Sequence, residues 1–199
     1  MSFFDELPPS SAPSDEPEYR PPVWSQPPEN MVGAAVALDL LLVRREELAV
    51  AVPDAIVYPT GVAMGVVVIR RRDPDVGPAH RPWFAHPGDP DGPRYGVAFA
   101  DGRRASADTP FSFSAPGAPE ISLLSQGGGG SERRFRGGLW LWPLPPPGPV
   151  TLAFMWKGEG VEETIVEIDS EPLRAAAERA LELWPDDRPE PPKNGAAGW

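Results

Sequence analysis

The residues able to do chemistry are few and scattered. The chain has two histidines, His80 and His86, and no cysteine. Both histidines fall in a Pro-rich stretch that also holds Asp89 and Asp91, a set of ligand types that zinc accepts. That stretch has no periodic element to hold imidazoles and carboxylates at fixed distances, so the reading is no metal site. Asp73-Pro74-Asp75 and Asp89-Pro90-Asp91-Gly92 read as turns, because Asp, Pro and Gly each favour turn geometry. A Ser-His nucleophile lacks its Gly-x-Ser-x-Gly element, and thiolate chemistry is excluded without cysteine. Glu162 and Glu163 are adjacent, and on a strand adjacent side chains point to opposite faces, which argues against a paired-carboxylate site. The balance points away from an enzyme, with no catalytic residue and no cofactor.

Two binding features are left. Gln126-Gly127-Gly128-Gly129-Gly130-Ser131 precedes Arg133, Arg134 and Arg136, so a hairpin tip there would offer amides and guanidiniums to an anion. No Lys-Ser/Thr opens a helix after it, so a nucleotide P-loop is not the reading. Phe3-Phe4-Asp5-Glu6-Leu7 sets three large apolar side chains beside two acids, a composition that docks as a short peptide on a partner or on its own domain. Trp83, in the Pro-rich loop, joins Phe3, Phe4 and Leu7 as a candidate docking residue. Trp24 and Trp199 are also expected to be exposed.

Charge narrows the partners. A formal net charge of −11 disfavours nucleic acid and anionic membrane, both of which need a positive surface. The partner class that fits is another protein. The start of the chain lacks the basic and apolar regions of a secretory signal, and cysteine is absent, so the expected compartment is the cytoplasm.

The elements that must position these groups read as strands. Proline and glycine supply 29 and 20 of 199 residues and gather in blocks, while 41% of the chain is hydrophobic and sorted into short runs between them. Residues 1–30 and 185–199 read as acidic, Pro-rich tails, and 31–184 as one domain. Within it Val36 to Leu42, Leu48 to Val52, Val62 to Ile69, Tyr95 to Phe99, Ile121 to Leu124, Arg133 to Trp142, Val150 to Trp156 and Val161 to Ile168 alternate with a period of two. Pro53 and Asp54 are expected to interrupt the second of these. Asp101-Gly102 reads as a two-residue hairpin turn with positive φ at both positions. Leu139 to Trp142 is apolar on both faces, as in a strand covered on both sides. The loop over 72–93 is long enough to be functional or disordered. Ser170 reads as the N-cap of an amphipathic helix over 170–184, with Leu173, Ala176, Ala177, Ala180, Leu181 and Trp184 as its docking stripe.

Tyr58-Pro59-Thr60-Gly61, Phe99-Ala100-Asp101-Gly102-Arg103, the glycine run, Leu139 to Gly148 and the Glu163 to Trp184 segment together resemble a family of uncharacterised actinobacterial proteins, over about residues 20–185. The resemblance implies no activity, cofactor or site residue. The fold expected is all-β: an antiparallel β-sandwich of Ig-like architecture with one C-terminal helix. The function expected is a non-enzymatic interaction module. The alternative is a ligand-binding or hydrolytic β protein, with its site at the 72–93 loop and the 126–131 hairpin.

Overall fold

In the computed structural model of the chain, the described residues are 21–72, 89–107 and 118–184. His80, His86, Trp83, Phe3, Phe4, Leu7 and the tail beyond 184 lie outside them, as does most of the 72–93 loop. The described part is mostly antiparallel β-sheet with one α-helix.

Five strands form the larger sheet: β2 (Ala34–Arg44), β3 (Leu48–Tyr58), β4 (Gly61–Arg70), β7 (Ser122–Gly130) and β8 (Arg134–Trp142), in the order β2-β3-β4-β8-β7. Four form the smaller one: β5 (Pro93–Phe99), β6 (Arg104–Ser106), β9 (Pro149–Trp156) and β10 (Val161–Asp169), in the order β10-β9-β5-β6. A short ladder joins β1 (Met31–Val32) to β11 (Leu181–Glu182).

Period-two sorting builds both sheets. On β4, Val62, Met64, Val66 and Val68 are buried, and on β9 so are Val150, Leu152, Phe154 and Trp156. All eight belong to one hydrophobic cluster that draws on both sheets. Burying such side chains stabilises the fold by about 1.5–3 kcal/mol each before the entropy of ordering is subtracted. The Pro-rich connection after β8 carries the chain from one sheet to the other, through a cis Trp142-Pro143 bond.

Several local readings change. β3 runs straight through Pro53 and Asp54, because a register shift between Ala51 and Ala55 absorbs the proline that would otherwise break the ladder. The turn after β5 has positive φ at Gly102 alone, and Phe99 accepts from the Gly102 amide at 3.0 Å. It is therefore a longer turn closed by one left-handed glycine.

The helix α1 spans only Ser170–Ala177. Asp169 caps it by accepting from the Glu171 amide, whereas the buried Ser170 hydroxyl accepts from the Gly148 amide at 3.1 Å. Leu173, Ala176 and Ala177 dock into the core as expected. Beyond them, pairing of β11 with β1 and a Leu183 amide bond to the Asn30 carbonyl take over the backbone groups that a longer helix would need. Leu181 and Trp184 are left exposed, at 65% and 57%.

Candidate functional site

The glycine run is a strand, not a hairpin tip. Gly127 to Gly130 extend β7, with Gly129 opposite Arg136 and Gly130 opposite Phe135. A Cβ on Gly128 would sit 2.6 Å from the Phe135 ring and 2.5 Å from the Arg136 carbonyl, so the missing side chain is what lets β7 lie this close to β8. The turn itself is formed by Ser131 to Arg134, where the Ser131 amide donates to the Arg134 carbonyl and the Ser131 hydroxyl accepts from the Arg134 amide.

The three arginines do not converge on one point. Arg133 donates to the Arg71 carbonyl at 2.5 Å. Arg136 forms an ion pair with Asp54, its Nη2 lying 2.8 and 3.1 Å from the two carboxylate oxygens. Arg134 is exposed and has no ion pair among the described residues. Asp54 and Arg136 belong to β3 and β8, the strands on either side of β4. Their pair crosses above Gly65, where a Cβ would lie 2.5 Å from the Asp54 carboxylate.

That pair marks the face of the larger sheet turned away from the core. Register places Leu41, Ala51, Val67 and Arg136 in one row across β2, β3, β4 and β8, and Arg44, Ala49, Ile69 and Arg134 in the next. Leu41 is 51% exposed and Ile69 40%. Val67 is buried yet stands outside the core cluster, as do Trp24 and Trp140. The result is an aliphatic strip edged by Arg44, Arg134 and Arg136.

The other end of the same face is already covered. Trp24 is 7% exposed rather than displayed, because its carbonyl accepts from the Trp140 indole and from the Ser122 hydroxyl, both at 3.1 Å. The Ser25 carbonyl accepts from Gln126, and Tyr58 packs edge-on against Trp140 at 5.9 Å. This is why Trp140 is buried on the outer face of β8. The expectation that β8 is covered on both sides holds, but the cover comes from residues 21–25, which the composition had assigned to a tail.

Other charged groups are engaged structurally. Arg70, at the core end of β4, pairs with Glu159 at 2.6 Å and lies 5.3 Å over the Trp156 ring, so it ties β4 to the turn between β9 and β10. Asp101 is held below the usual carboxylate range by its side-chain hydrogen bond from Arg103, whose guanidinium is raised in turn. Burial pushes the Tyr95 phenol up, and its hydroxyl has no hydrogen-bond partner among the described residues. No group of three His, Cys, Asp or Glu that would hold a metal exists among the described residues. Among them, no helix is long and apolar enough to cross a membrane.

In comparisons with known proteins, the chain matches no family model, no curated protein and no solved structure.

Proposed function

We propose that the chain is a non-enzymatic, cytoplasmic protein-interaction module and that the outer face of its larger sheet is the docking surface. The two sheets are taken to stack as a sandwich of Ig-like layering around the shared cluster, which leaves that outer face for a partner. The observation that carries this reading is the strip Leu41, Ala49, Ala51, Val67 and Ile69, bordered by Arg44, Arg134 and Arg136. On a protein of net charge −11, a local run of arginines beside the exposed Leu41 and Ile69 favours one ligand chemistry. That chemistry is an acidic peptide segment carrying large apolar side chains, held by charge-assisted hydrogen bonds at the edge and by apolar burial at the centre.

The test is selection of a displayed random dodecamer library against the full chain, beside the exposed-site variants Ile69→Glu and Arg134→Glu. Enrichment of acidic sequences with Phe or Leu by the wild-type chain, lost in both variants, supports the reading. Equal enrichment by all three chains contradicts it, and so does no enrichment by a chain carrying Phe3→Ala/Phe4→Ala, whose own apolar tip cannot compete for the strip.

A further inference from the structure

The chemistry that fits this strip is present in the chain itself. Residues 1–20 carry Asp5, Glu6, Asp15, Glu16 and Glu18 against Arg20 alone, and Phe3, Phe4 and Leu7 are set directly beside the first two acids. We propose that residues 3–7 dock in cis on the outer face of the larger sheet, with Phe3, Phe4 and Leu7 over Leu41, Val67 and Ile69 and the acids against Arg134 and Arg44. This rests on the reading of that face as a docking surface for acidic, apolar peptides.

Reach and attachment both favour it. The chain enters the described structure on this very face, where the Trp24 carbonyl is bonded to Trp140. From Trp140 to Arg134 along β8 is six residues, about 20 Å at ~3.3 Å per residue. The 14 residues from Leu7 to Pro21, where the described structure begins, extend to at most about 50 Å. Pro8, Pro9, Pro13 and Pro17 stiffen this segment toward about 3.1 Å per residue, so it reaches past the roughly 20 Å required. A segment that reaches the strip makes docking intramolecular, so its occupancy does not depend on protein concentration.

Charge adds direction. Arg134 and Arg44 have no ion pair among the described residues, and Arg136 is held by Asp54. Outside residues 1–20, which carry −4, the chain has a net charge of −7 (−11 minus −4), so an acidic segment gains more at this arginine-edged strip than over the average surface. Bound there, residues 3–7 would screen the face from an outside peptide of the same chemistry and make access competitive.

A nitroxide placed through Ser2→Cys tests this in the full chain, since no other cysteine exists to compete for the label. The expected result is at least a twofold paramagnetic loss of amide signal at Leu41, Ala49, Ala51, Val67 and Ile69 relative to β5 and β9. The loss should persist on tenfold dilution and fade in 0.5 M salt or with Phe3→Ala/Phe4→Ala. Uniform broadening, or none, overturns the proposal. Loss that disappears on dilution overturns it too, in favour of docking on a second copy. If the selected library peptides bind the strip while the label shows no contact there, the docking surface stands and the cis occupant falls.

Discussion

Replacing Tyr95 by Phe should stabilise the protein. Tyr95 is fully buried on β5, its ring centroid 5.0 Å from that of Phe154, and its hydroxyl has no partner among the described residues. A buried polar group left unpaired costs about 1–3 kcal/mol, while Phe keeps the ring volume and the aromatic contact. The expected gain is about 1 kcal/mol at pH 7, or a rise of about 2–4 °C in Tm for a chain of this size. The pH dependence carries a second signature. Burial raises the folded-state pKa above the ordinary 10.0, so the unfolded chain releases the phenolic proton first. The stability linked to this group is thus fully present below pH 10 and is lost as pH climbs from there toward the folded value, at up to about 1.4 kcal/mol per pH unit. Urea unfolding of wild type and Tyr95→Phe between pH 7 and 11 reads both effects. The variant should be more stable at pH 7, and its advantage should grow above pH 10. A loss of more than about 1 kcal/mol at pH 7, or parallel pH profiles, would refute the reasoning.

Other substitutions probe the elements that shape the docking face. Trp24→Ala removes a buried indole from the segment whose backbone is bonded to Trp140 and should cost about 3–5 kcal/mol by denaturant unfolding; a cost under about 1 kcal/mol would mean that residues 21–25 do not pack there. Gly128→Val drives a side chain into Phe135 and the β8 backbone and should cost about 1–3 kcal/mol, whereas Gly127→Val, with nothing within 4 Å of its Cβ position, should change stability by less than about 0.5 kcal/mol. Asp54→Asn breaks an exposed ion pair, so its expected cost stays within about 1 kcal/mol while the affinity of the strip for acidic peptides rises as Arg136 is released.

Strands whose bulky residues all face one core were legible from spacing alone. Val62 to Val68 and Val150 to Trp156 needed only the alternation, since a one-residue slip would have put every large side chain in water. What could not be read were features set by contacts distant in sequence. Trp24 looked like tail composition, yet its side chain is buried and its carbonyl meets the Trp140 indole, 116 residues away. The glycine run carried a turn signal, but its meaning depends on Phe135 and Arg136 lying against it in the neighbouring strand. Periodicity carried the helix stripe on to Trp184, yet β1 claims residues 181 and 182 first. The three arginines read as one cationic feature, but their roles separate because Asp54, 82 residues from Arg136, neutralises one of them across Gly65.

The docking surface is tested most directly by titrating a selected acidic, Phe-containing peptide into the isotopically labelled full chain carrying Phe3→Ala/Phe4→Ala, and mapping amide shifts. The expected result is saturable shifts confined to Leu41, Ala49, Ala51, Val67, Ile69, Arg134 and Arg136. Shifts centred on β5, β9 or β10 with that strip unmoved would contradict it.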